Sequence, residues 1–312
     1  MHVRGGVRSM RQITLLAPLL GWLGGCASLQ SGDANGGSDA PPESLTVTIS
    51  ELKLHMRDDT YRFERAVGPD GGDVYAVALW KLDRLAAARA RPEGEWQNVD
   101  YLIEFARGNA LERLRRYPDA AGAYARVGAS GSVLGDAATQ RGRVMERFAH
   151  AASAPEQPFA SGAEELEFIG GRIARWRELA LEFHDVPQES LAREEAEAWE
   201  VMRVDALTRQ GQRDEAIRAC RALVESNRES KLFGHHLLRL GDLYADSARG
   251  EQLKARTNLS PLDAAKYDTL LDQAFSAYEL AAEGHQPAMR REARTRIESL
   301  SSYHAEVRAH AP

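Results

Sequence analysis

From residue 46 onward the apolar side chains recur at helical spacing, and they almost never settle into the alternation of a strand. Ala, Arg, Leu and Glu dominate this stretch while Ile, Val and aromatic residues are sparse. The former group loses little side-chain freedom in a helix and the β-branched residues lose more, so the bias favours helices. Leu45-Thr46-Val47-Thr48-Ile49 does alternate, but one short run cannot build a sheet. The pattern predicts an all-α domain over 46–312. Its first helix follows Ser50, a second lies between Asp73 and Arg91, and others cover 98–115, 118–129, 134–151, 162–184 and 188–210. The last group covers 213–227, 231–247, 261–284 and 287–303. Ser260-Pro261-Leu262-Asp263 reads as a capped helix start, with Pro in the first turn and an acid three residues after the serine.

Three of these helices carry a small residue, a larger one four positions on and an apolar one three further. They are Ala120-Tyr124-Val127, Ala216-Cys220-Leu223 and Ala274-Tyr278-Ala281. The small residue lets two helices approach, and the larger one fills the groove beside it. Preceding helices supply Gly108 with Leu111, and Leu240-Gly241 with Tyr244. This resembles the tetratricopeptide repeat, which implies helical hairpins stacked into a solenoid. The chain departs from the family in its spacing. The three matches are not multiples of 34 residues apart, Trp199 falls one position off the family tryptophan, and an insertion is expected near 246–260. An Ala-rich bundle without superhelical stacking remains the alternative architecture. In the family the first helix of each pair lines a concave ligand face. Carried over, that implies a groove of Phe105, Asn109, Arg113, Asp205, Arg209, His235 and Asp242.

The other informative stretch is residues 1–25. Arg4, Arg8 and Arg11 precede an apolar run from Ile13 to Leu23, too short to span a bilayer comfortably, which ends in Leu23-Gly24-Gly25-Cys26. This resembles the bacterial lipobox. The resemblance implies a signal peptide removed before Cys26, a thioether-linked diacylglycerol on that thiol, and fatty acylation such as palmitate on the new amine. Residues 26–45, rich in Gly, Ser, Asp and Pro, read as a flexible tether. By resemblance to enterobacterial lipoprotein sorting, Ala27 after the lipidated position implies an outer-membrane location facing the periplasm. With Cys26 lipidated, Cys220 has no partner for a disulfide; its apolar helical surroundings suggest a small core residue.

Motifs for chemistry are absent. There is no G-x-S-x-G, H-E-x-x-H, Walker loop or dinucleotide fingerprint in helical context. His235 and His236 point about 100° apart on a helix, with no third ligand near, so no metal and no cofactor is expected. Glu164-Glu165 and Glu194-Glu195 read as solvated helix faces. The balance is acidic, at -6, with no basic face for nucleic acid. The sequence therefore leads to a lipid-anchored cell-envelope adaptor or scaffold, not an enzyme, that binds a protein or peptide through helical repeats. The competing expectation is an envelope enzyme, or an enzyme accessory, acting on peptidoglycan or another polymer.

Overall fold

A computed structural model describes residues 43–63, 67–68, 71–88, 99–153, 158–257 and 261–309. The signal peptide, Cys26 and most of the expected tether lie outside these residues. The described residues belong to one compact unit, Asp39–Pro312. They form eleven helices: α1 (Glu43–Asp58), α2 (Val74–Ala88), α3 (Asp100–Arg113), α4 (Tyr117–Gly128), α5 (Gly135–Ala152), α6 (Gly162–Glu182), α7 (Glu189–Arg209), α8 (Arg213–Ser226), α9 (Phe233–Thr257), α10 (Ala264–Ala282) and α11 (Pro287–Ala309). Among them the only β pairing is an isolated bridge between Val67 and Asp73. The domain is all-α.

Each helix packs on its neighbour in sequence, and α1 also meets α3 while α9 meets α11. The α3–α4 and α7–α8 hairpins use the same turn. In the first, Arg116 N–H donates to Leu111 C=O at 3.0 Å; in the second, Gln212 N–H donates to Leu207 C=O at 2.9 Å. The residue before each donor is left-handed, Arg115 at φ 59° and Gly211 at φ 73°. Glycine adopts that conformation freely, whereas arginine pays steric strain for it. Arg115 is held there by Glu195 at 3.0 Å and Glu194 at 3.5 Å on α7. Glycine serves close approach at Gly108 and Gly241, where any Cβ would collide with the rings of Tyr124 and Tyr278.

The core has two main apolar clusters. One runs from α1 to the first half of α7, and the other from the end of α7 to α11. In the first, Trp176 is fully buried and Phe148 meets it edge-on at 5.1 Å, with Tyr117 and Phe183 completing the nest. Burying a side chain of that size stabilises the fold by roughly 1.5–3 kcal/mol, and edge-to-face contacts add to it.

Several boundaries differ from the sequence reading, among them the end of α11, which runs to Ala309 and not 303. Helix α1 begins at Glu43, so Ser50 is interior and not a cap. The alternating run is wound into it, because Leu45, Thr48 and Leu52 fall on one face and are buried. Helix α9 continues to Thr257 through the expected insertion. Its last turns are pinned by ion pairs from Glu251 to Lys254 and Lys266, both at 3.0 Å, and by Tyr303 donating to Gln252. Helix α10 is capped by Asp263, which accepts from Lys266 N–H at 3.1 Å, so the expected Ser260 cap moves three residues on.

Candidate functional site

Three of the seven groove candidates play one structural part. Asn109 and Asp242 each directly follow a close-approach glycine, and Asp205 directly follows the buried Val204, all on odd-numbered helices. Each accepts a hydrogen bond from an arginine on the next odd-numbered helix: Arg141 on α5, Arg239 on α9 and Arg296 on α11. In two of the three the large residue of the intervening helix joins in. Tyr124 donates to Asn109 at 2.8 Å and Tyr278 donates to Asp242 at 2.8 Å. At the third, Cys220 takes the tyrosine's place and has no hydroxyl to offer. The link is therefore a staple between consecutive odd-numbered helices. Burial raises the Tyr124 phenol well above its ordinary value, and the Glu112 charge adds to this.

The odd-numbered helices are further closed by the chain itself. After α1, the non-helical strap Asp59–Arg62 crosses to α3, α7 and the α8–α9 turn. Three successive carbonyls are read: Asp59 by Arg113 Nη1 at 3.1 Å, Thr60 by Lys231 Nζ at 3.3 Å and Tyr61 by Lys231 N–H at 2.9 Å. The Asp59 carboxylate accepts from Tyr75 at 2.9 Å and from Lys231 at 3.1 Å, and lies 3.6 Å from Arg113. Tyr61 donates to Asn227 at 2.6 Å beneath the Arg193 guanidinium. Burial, then the Glu197 charge, raises the Tyr61 phenol. These groups are matched because a buried charge without partners costs several kcal/mol.

This placement corrects the expected groove. Asn109 and Arg113 are buried, committed to Arg141 and to the strap, and do not face solvent. Arg209 pairs with Glu165 of α6 at 2.6 Å and stays exposed, one helical turn after Asp205 on α7. Phe105 is half-buried, edge-on to Tyr124 with Arg141 over its ring. His235 and, in part, Asp205 and Asp242 stay accessible.

His236, beside His235, is buried with its Nε2 2.5 Å from Glu197 Oε1, and the same oxygen accepts from Ser230 Oγ at 2.5 Å. The serine is thus bonded to the acid and not to the imidazole. That is not the relay that activates a hydroxyl nucleophile. Glu194 and Glu195, expected to be a solvated face, instead bind Lys231, Arg115 and Tyr117. Cys220 is buried, and burial pushes its thiol up to about 12.

The open concavities lie elsewhere, each floored by an odd-numbered helix and walled by its two even-numbered neighbours. A small cleft of about 250 Å³ between α2 and α4 is lined by Arg107, Arg116 and Arg126, all paired with acids. One of about 510 Å³ between α6 and α8 abuts the strap through Arg193 and Asn227. Another, about 540 Å³, lies between α8 and α10 over α9. Val224, Leu237, Leu240, Tyr244, Ala277 and Leu280 give it an apolar floor, rimmed by Arg221, Arg228, Glu225 and Asp272. Only Leu240 and Tyr244 of these stand out in the sequence, as helix-contact residues, and nothing there signals that the face stays open. Among the described residues no group of side chains could hold a metal ion, and no helix is long and apolar enough to cross a membrane. No family model, curated protein or solved structure matches this chain.

Proposed function

We propose that this chain is a non-catalytic adaptor of a bacterial cell envelope, anchored by lipid at Cys26 and built from tetratricopeptide-like helical pairs. It faces the periplasm from the outer membrane and holds a protein or peptide segment in the α8–α10 cleft. The observation that carries the reading is the chemistry of that cleft: an open apolar floor with charged groups of both signs on its rim. Apolar side chains of a partner segment leave water on such a floor, while Arg221 and Arg228 fork onto its carboxylates. The turn shared by α3–α4 and α7–α8, and the recurring glycine–tyrosine contact, support the repeat reading. The odd-numbered side is the weaker choice for a partner, since the strap and the helix links already use its polar groups.

The test is comparative affinity capture from solubilised envelopes, with labelled fatty acid followed at the same time. Wild type carries the label and Cys26→Ser does not. Leu280→Asp, at a half-exposed position in the cleft, loses the partner while its melting temperature is unchanged. Leu253→Asp, more exposed and outside the cleft, keeps it. A partner retained in full by Leu280→Asp contradicts the cleft.

A further inference from the structure

We propose that the outer face of the α1–α2 hairpin rests on a phospholipid bilayer. Val47, Glu51 and Leu54 share one exposed stripe of α1, and Val77, Trp80, Lys81 and Arg84 share one stripe of α2. Lys81 Nζ lies 2.8 Å from Glu51, so the two stripes adjoin. Within them Trp80 is 57% exposed, Leu54 47% and Val47 46%. A large indole left in water beside three aliphatic side chains is a patch, not the scatter of single apolar residues that any surface carries.

The chemistry of the patch suits the boundary between acyl chains and headgroups. The Arg84 guanidinium stacks over the Trp80 ring at 4.9 Å. An indole prefers that depth because its ring is apolar and its N–H is polar, and a neighbouring arginine reaches lipid phosphate. Asp83, the acid nearest on α2, turns away to Arg107 of α3 at 2.8 Å. The stripes therefore present two cations and one acid on a chain that is acidic as a whole.

Chain length chooses a bilayer over another protein as the occupant. The argument rests on lipid attachment at Cys26, as proposed above. The stretch from Cys26 to Glu43 spans about 60 Å at most, whatever its conformation. Helix α1 opens the domain, so its first residue is the point held on the shortest leash, and the outer stripe begins one turn beyond it. Once one point is anchored, docking the face is an intramolecular step that needs only modest affinity.

The experiment uses the full chain carrying Trp80→Cys, purified with its lipid and reconstituted into phosphatidylethanolamine–phosphatidylglycerol vesicles. An environment-sensitive fluorophore is attached at position 80; Cys220 is buried and stays unlabelled. The emission is expected to shift to the blue, to be lost to quenchers on the lipid chains and to resist aqueous iodide. The same probe at Leu253→Cys should behave as it does in water. A chain that floats with the vesicles while position 80 is quenched by iodide overturns the docking and leaves the anchor standing. A chain that does not float overturns the anchor, and the docking with it. A blue shift that grows with protein concentration and ignores lipid quenchers shows a second copy on this face, which also overturns the proposal.

Discussion

The Lys231 ammonium lies 3.1 Å from the Asp59 carboxylate across 172 residues of sequence, and 2.7 Å from Glu194. The side chains of all three are largely out of water, at 13%, 3% and 10% exposure. The end of α1 is thereby fastened to the α8–α9 turn, which gives the two apolar clusters a polar tie.

Lys231→Met should lower stability by roughly 3 kcal/mol, since removing one partner leaves buried carboxylates without their cation. The figure is at the low end for such a change because Arg113 still faces Asp59. Chemical denaturation checks it, against Lys254→Met, whose exposed ion pair should be worth under about 0.5 kcal/mol. Equal midpoints for the two variants would show that the strap contributes nothing to stability.

Gly241→Ala and Gly108→Ala should each cost roughly 1–3 kcal/mol, because the added methyl meets the ring of Tyr278 or Tyr124 where neither can retreat. Ala216→Leu and Ala274→Leu, at fully buried positions, should fall in the same range by overpacking. Gly170→Ala provides the opposite sign. It lies within α6 with nothing near its added Cβ, and should stabilise by about 0.5–1 kcal/mol. Thermal melts of this series separate close helix approach from ordinary helix propensity.

Alkaline pH should weaken the fold. The Cys220 thiol is pushed up to about 12 by burial, whereas an unfolded cysteine ionises near about 8.5. Below that lower value both states hold the proton. Above it only the folded state does, so stability is lost as pH rises toward the folded value. The Tyr117 and Tyr124 phenols, raised by burial and then by Glu195 and Glu112 respectively, add a loss of the same sign from about pH 10 upward. Denaturation midpoints at neutral and alkaline pH measure the effect, and a thiol reagent should label Cys220 only after unfolding. Fast labelling of the native protein would mean an accessible thiolate.

Helix positions were legible because burial and helical spacing coincide. Ala120, Tyr124, Ala216 and Ala274, picked out as helix-contact residues, are all fully buried. The helix-capping reading failed at Ser50 because a local cap signal cannot outvote an apolar face that runs on through Leu45 and Thr48. The extra residues expected near 246–260 lengthen α9 to Thr257, because spacing against a family frame says nothing of whether added residues form a loop or further helical turns. The candidate groove misled for a different reason. Asn109 and Arg113 have polar side chains at positions where a solenoid exposes them, and nothing local reveals that Asp59 will arrive from 54 residues away to bury Arg113. Lys231 and Tyr61 were invisible for the same cause, since their partners are set by tertiary closure.

The central claim, that the partner lies between α8 and α10, is tested most directly by photo-crosslinking in intact envelopes. A photoreactive residue is placed at Gln273 on the rim of the cleft, or at His235 on the face that the repeat resemblance pointed to. The account predicts a discrete crosslinked adduct from position 273, lost when Leu280→Asp is added, and none from position 235. An adduct from position 235 with none from 273 would place the partner on the odd-numbered helices and contradict it.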